Sequence, residues 1–145
     1  MTTPVQTASR RQLVADAERG IRMNYRGVKK NLRSMFSQYL TRNEFFILRS
    51  LCQQSPQIAS ALSNEFQFSA SMITALADEL TKKGLISRER SERDRRVVEL
   101  QATDEGRELF ETLESMKIEY LMDVFTDFSD DELILLSKLL DRMDA

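Results

Sequence analysis

Arg93, Arg95 and Arg96 crowd into four positions of the sequence, with Asp94 among them. Arg88 and Arg90 stand just before them, and Lys82 and Lys83 a little earlier. Clustered guanidinium and ammonium groups of this kind suit the binding of a polyanion rather than bond-breaking chemistry. Composition narrows the choice further. There is no histidine and a single cysteine, so Ser-His-Asp and Cys-His catalysis are excluded, and a zinc site of nitrogen and sulfur ligands is not expected. The carboxylates fall in solvated helical patterns with no glycine-rich phosphate loop beside them, so the sequence reads as a non-enzyme that needs no cofactor.

A formal net charge of −2 argues against a nucleic-acid partner, but the distribution reverses that reading. Residues 1–45 carry nine basic and three acidic side chains, residues 46–99 eight and seven, and residues 100–145 four and thirteen. An acidic last third hides a basic remainder, and local patches matter more than totals for binding a polyanion. The length of 145 residues fits one domain, 1–145, with a real core. No apolar run approaches the roughly 18 residues that span a bilayer. The polar start, Met1 to Ser9, has no apolar signal core. A cytoplasmic protein with no membrane partner is expected, and the lone Cys52 agrees with that compartment. Cys52 itself reads as a small semi-buried residue or, alternatively, a redox sensor without a resolving partner.

The basic cluster must be held by surrounding elements. Val14, Ile21, Val28 and Met35 recur every seven residues, with Tyr25, Leu32 and Tyr39 as a second row, and predict a long helix over about 10–39. Such a stripe packs either within the chain or as a seam between subunits. Thr41 and Glu44 form a capping box, with Leu40 and Phe45 at the staple positions, and start a helix running to about Gln53. Ser55-Pro56 opens the next helix, with Ile58, Ala59 and Leu62 as its apolar face. Phe66 and Phe68 flank the turn that follows. Ser69 caps a further helix with the stripe Ile73, Leu76, Ala77 and Leu80, which Gly84 ends as a left-handed cap.

Residues 85–90 and 97–101 then alternate as two short strands around a charged tip, Ser91 to Arg96. Thr103-Asp104 starts a long helix to about Phe125. Ser129 and Glu132 make a second capping box that opens a leucine-rich last helix, too apolar for its length to stand alone. Two helices joined by a tight turn and followed by a basic hairpin make a winged helix-turn-helix. The fold class is therefore mainly α with a small β-hairpin wing (α+β), a winged helix-turn-helix lobe joined to long first and last helices.

Several short motifs occur in a set order: Leu40-Thr41 before an aromatic-rich helix, Ser69-x-Ser71-x-Ile73-Thr74, Leu80-x-x-x-Gly84-Leu85-Ile86-x-Arg88, Asp94-Arg95-Arg96, and Leu100-x-x-Thr103-x-x-Gly106. Over about residues 35–143 the chain resembles the MarR family, the multiple-antibiotic-resistance regulators. The resemblance implies a homodimer in which the first and last helices (1–39 and 104–145) of both subunits interlock. It also implies two winged lobes (40–103) facing a pseudo-palindromic site on double-stranded DNA. The expected activity is a sequence-specific, ligand-responsive transcriptional regulator, most simply a repressor. In the family pattern the arginine of Asp-x-Arg enters the minor groove and the aspartate holds it, which assigns Arg96 and Asp94. Arg93 and Arg95 then serve phosphates, with Arg88, Arg90, Lys82 and Lys83 as further phosphate candidates.

The recognition helix offers Ser69, Ser71, Met72, Thr74 and Ala75 away from its buried stripe. Hydroxyls can bond base edges or phosphates, while Met72 and Ala75 can touch thymine methyls. Ser69 also reads as a plain cap. Many relatives place an arginine where Ala75 stands, so this helix lacks a bidentate guanine reader in its first two turns, and specificity leans on van der Waals contact and DNA shape. The resemblance further implies control by a small aromatic or anionic effector bound between the dimer helices and the lobe. Arg22, Tyr25, Phe36 and Tyr39 are the lining candidates by position, and the same residues read equally as ordinary core. The redox branch of the family uses a cysteine in the first helix and the metal-sensing branch uses histidines, both absent here. A competing reading is a winged-helix protein–protein module, an antagonist of a related regulator, with little DNA specificity.

Overall fold

The computed structural model of the protein describes residues 8–143. Six helices and three strands run in the order α1 (Arg10–Phe36), α2 (Arg42–Gln53), β1 (Gln57–Ile58), α3 (Ala59–Phe66), α4 (Ala70–Lys82), β2 (Ile86–Arg90), β3 (Val98–Ala102), α5 (Asp104–Val124) and α6 (Asp130–Asp141). The strands form one antiparallel sheet in the order β1-β3-β2, with Arg88 opposite Leu100 and Gln57 opposite Leu100 on its other side.

Side chains close the starts of these helices, at Ser69 as its position predicts and at Ser9 without a prediction. Ser9 accepts from Gln12 N at 3.1 Å, Ser69 from Met72 N at 3.2 Å and Thr103 from Gly106 N at 3.1 Å. Both capping boxes, Thr41 with Glu44 and Ser129 with Glu132, are complete. Each satisfies two backbone donors that a helix start otherwise leaves open. The staple residues Leu40 and Phe45 are both buried.

Three expectations need correction. The helix after Ser55-Pro56 starts at Ala59 instead, because Gln57 and Ile58 leave the helical path and pair with β3 as a third strand. Ile58 is consequently exposed, as is Ala59, and of the expected apolar face only Leu62 is buried. A two-residue strand carries no periodicity to read. The first helix ends at Phe36 rather than near residue 39, since the Tyr39 and Leu40 amides both turn back to the Phe36 carbonyl. Leu85 lies in the cap that follows α4, its amide bonded to the Leu80 carbonyl, and not in β2.

The core gathers where the winged lobe meets α5. Leu48, Leu51, Leu62, Leu80 and Leu113 are fully buried. A run of aromatic rings crosses it: Phe36 on Phe45 at 5.3 Å between centroids, Phe45 on Phe110 at 6.0 Å, and Phe46 stacked on Phe66 at 6.0 Å, which in turn meets Phe68 at 5.6 Å. Each such pair adds about 0.5–1.5 kcal/mol beyond area burial. Phe66 and Phe68 thus plug the turn before α4, whose C-cap of the preceding helix, Gln67, takes a left-handed conformation.

Apolar side chains outside the lobe are left uncovered in the single chain. On α1, Leu13, Val14 and Ile21 are exposed, on α6 Ile134, Leu135, Leu139 and Leu140, and no described residue of α6 is buried.

The junction of α4, β2 and α5 is the tightest point. Gly84 sits at φ +74°, the Gly84 amide donates to Thr81 O and the Leu85 amide to Leu80 O, each at 3.0 Å, which is the Schellman arrangement. The Leu85 carbonyl then accepts the Thr103 amide at 3.0 Å, and a Cβ on Gly106 would lie 2.1 Å from that same oxygen. Gly106→Ala is therefore expected to destabilise the fold by at least about 1–3 kcal/mol, the usual cost of overpacking. Urea denaturation checks this, and an unchanged midpoint would remove the junction from the account.

Candidate nucleic-acid interface

β2 leaves α4 through only Lys83, Gly84 and Leu85 and runs back beside it, so that Arg88 reaches Thr74 and Asp78 of the recognition helix. On α4, Ser69, Ser71, Thr74 and Ala75 are exposed as expected, while Met72 is half-buried. The hydroxyls already have partners. Ser69 and Ser71 bond one another at 3.1 Å, and Thr74 Oγ1 donates to the Ala70 carbonyl at 3.0 Å.

The tip is a folded turn. Ser91, itself buried, accepts from the amides of Arg93 and Asp94, and its own amide donates to Val97 O at 2.8 Å. Asp94 faces Arg96 as a fork: Nε to Oδ1 at 3.1 Å and Nη2 to Oδ2 at 3.2 Å, with the Arg96 amide on Oδ1 at 3.1 Å. The guanidinium of Arg96 and then its amide hold the Asp94 carboxyl below the ordinary carboxylate range. Arg96 nonetheless remains 91% exposed at its side chain, an oriented cation presented to solvent. Arg93 and Arg95 are exposed beside it.

Other predicted phosphate candidates are occupied within the chain. Arg90 donates to the Arg95 carbonyl at 2.8 Å and so braces the tip. Arg88 reaches back from β2 to α4, with Nη2 2.5 Å from Asp78 Oδ1 and 3.5 Å from the Thr74 carbonyl. Lys82 pairs loosely with Glu79 at 3.3 Å and stays exposed. Lys83 points away from the tip, donating to Glu44 Oε2 at 2.8 Å and to the Tyr39 carbonyl at 3.3 Å. Asp78 and the second role of Glu44 escape a reading of the sequence. The partners lie ten and thirty-nine positions apart, beyond any helical or strand period.

The four effector positions do not meet. Arg22 pairs with Glu18 at 2.8 Å, and Tyr25 is exposed with Lys29 over its ring. Phe36 lies in the lobe core and Tyr39 at its edge. Arg22 and Phe36 are about 21 Å apart along one helix axis at 1.5 Å per residue. The shallow pocket beside Arg22 is lined by Met23, Arg26, Gly27 and Lys30 and by none of the other three. Cys52 is half-buried, and burial pushes its thiol up, which disfavours the reactive thiolate. Among the described residues there is no cluster of three His, Cys, Asp or Glu side chains able to hold a metal ion, and no helix is long and apolar enough to cross a membrane.

Residues 40–98, the lobe from the α2 cap through the tip, match the MarR family model. The chain is 33% identical over 135 residues to YpoP of Bacillus subtilis (strain 168), an HTH-type transcriptional regulator, covering 93% of this chain and 96% of that one. The chain belongs to the MarR family. MdtR of the same organism, an HTH-type transcriptional repressor, is 33% identical over 101 residues, 69% of this chain and 65% of MdtR. Among solved structures, a MarR family protein from Bacillus stearothermophilus superposes with a TM-score of 0.82 at 26% identity, over 94% of this chain and 96% of that one. This MarR-family chain is thus a DNA-binding winged helix-turn-helix regulator of transcription, and not an enzyme.

Glu44 ties the helical ends of the lobe together and yields a pH prediction. Burial opposes its charge, but the Lys83 ammonium and the Thr41 amide and hydroxyl outweigh that and hold the carboxyl below its ordinary value. A carboxylate depressed in the folded state stabilises fully above its unfolded value, about 4.3, and that contribution is lost as pH falls through the folded value. Glu44→Gln is expected to cost about 1 kcal/mol at pH 7, the scale of one typical net hydrogen bond, and progressively less toward pH 3. Urea midpoints at the two pH values check it. An equal gap at both would deny the ion pair its role.

Proposed function

We propose that two copies of this chain form a homodimer that binds a pseudo-palindromic operator and represses transcription. In this reading α4 of each copy enters the major groove, and each wing places Arg96 in the flanking minor groove. The observation that carries it is the Asp94–Arg96 fork: an almost fully exposed guanidinium whose conformation is already chosen. A narrow minor groove concentrates negative potential, and a preoriented arginine gives up less entropy on entering it. The dimer reading is supported by the uncovered leucines of α6 and the apolar residues of α1, more than a soluble monomer ordinarily leaves in contact with water. Repression is supported by the likeness to MdtR. Arg93 and Arg95 serve phosphates, whereas Arg88, Arg90 and Lys83 act from within the lobe.

Arg96→Ala is expected to lower operator affinity by roughly 1–3 kcal/mol while leaving the dimer and the helical content intact. Fluorescence anisotropy on the upstream intergenic duplex, with sedimentation and circular dichroism as controls, measures this; unchanged affinity would sink the assignment. Leu139→Glu on α6 is expected to yield a monomer by sedimentation. A dimer of undiminished strength in that variant would move the interface elsewhere.

A further inference from the structure

The face that α4 presents is short of hydrogen-bond donors. From Ser69 to Leu80 the sequence has no arginine, lysine, asparagine or glutamine, the side chains that read guanine O6 and N7 or adenine N6 and N7 in pairs. The structure removes the remaining polar readers one by one. Thr74 spends its hydroxyl proton on the Ala70 carbonyl. The Ser69 oxygen accepts the Met72 amide and shares a bond with Ser71. Asp78 lies on the same face one turn beyond Thr74, and a free carboxylate there would accept from cytosine N4. It is tied instead to Arg88, whose Nη2 also approaches the Thr74 carbonyl. What is left facing outward is mostly carbon, the methyl of the exposed Ala75 and the carbon of Ala70, Ser71 and Thr74, beside hydroxyl oxygens of Ser71 and Thr74 that can still accept but have no donor to offer a guanine.

We infer that this helix reads its operator through thymine C5-methyl groups and not through guanine. The inference rests on the docking of α4 in the major groove given above. Its chemistry is apolar contact, and the four bases differ in the major groove by one methyl as well as by their donors and acceptors. The methyl reader loses no side-chain hydrogen bond on binding, so the partners of Thr74, Ser69 and Asp78 stay as they are in the free protein. Selectivity from α4 is then spread over several modest contacts, with the wing supplying the oriented charge.

The test starts from a site enriched out of a random duplex library with the full-length dimer. Replacing each thymine in turn by deoxyuridine removes only the methyl. Two or more positions per half-site are expected to lose roughly threefold to fivefold in affinity, the scale of one buried methyl group. Replacing guanines by 7-deazaguanine, which removes N7, is expected to change affinity by less than about twofold, taken against the 1–3 kcal/mol of a good base contact. Thr74→Val, which keeps the shape and removes the hydroxyl, is expected to stay within the same limit. A tenfold or greater loss with 7-deazaguanine or with Thr74→Val, or no loss with deoxyuridine, would overturn the inference while leaving the operator reading in place. A guanine read by Arg88 would appear as the first of these. Failure to enrich any sequence would overturn the operator reading itself and this inference with it.

Discussion

The Leu85 carbonyl is the point on which the two parts of the molecule turn. Its residue ends the recognition helix, because the Leu85 amide closes the last turn onto Leu80. Its oxygen starts the long helix α5, because it takes the Thr103 amide while Thr103 Oγ1 donates to the Gly84 carbonyl at 2.7 Å. Gly106 then packs directly on the Leu85 backbone with no space for a side chain. Backbone against backbone leaves no flexible side chain to absorb a displacement. A shift of α5 must therefore carry the end of α4 with it, and the wing, which leaves from the same residue, moves as well.

Around this junction the lobe is held by a dense core and two long-range ion pairs with different tasks. Glu44 and Lys83 join the start of α2 to the end of α4 in a partly dry setting, where each partner also meets backbone groups. Arg88 and Asp78 join β2 to α4 at the surface, where the pair has less to offer stability than orientation. Both consume charges that, counted from composition, look available to a polyanion. Arg88, Arg90 and Lys83 are exposed but bonded to other parts of the lobe, which leaves Arg93, Arg95 and Arg96 at the tip, with Lys82 farther off. A net charge of −2 is compatible with DNA binding because these few are gathered at one end while eleven of the 23 acidic residues lie on α5 and α6.

The aromatic run shows how a single residue type can mislead. Phe36, Tyr25 and Tyr39 fall at helical spacing in the sequence, and aromatic side chains at that spacing read equally as ligand pocket or core. Burial decides between them. Phe36 falls where α1 meets α2 and stacks on Phe45, whereas Tyr25 stands out in solvent beside Lys29. Helical periodicity says which side chains share a face, but not where along its length the helix leaves the lobe.

Much of the fold was legible because its signals are local. The capping boxes at Thr41 and Ser129, the left-handed glycine after α4, the alternation of the wing strands and the Asp94–Arg96 fork all involve residues within about one helical turn or one hairpin of each other. Short separations leave the chain few alternatives, so residue type and spacing alone determined these features, and with them the winged helix-turn-helix and its charged tip. The third strand, the partners of Arg88 and Lys83, the burial of Phe36 and the closeness of Gly106 to Leu85 were decided only by the tertiary structure. Each depends on elements far apart in sequence being brought to a common distance by the packing of the core, and no period within a single element encodes a distance between two.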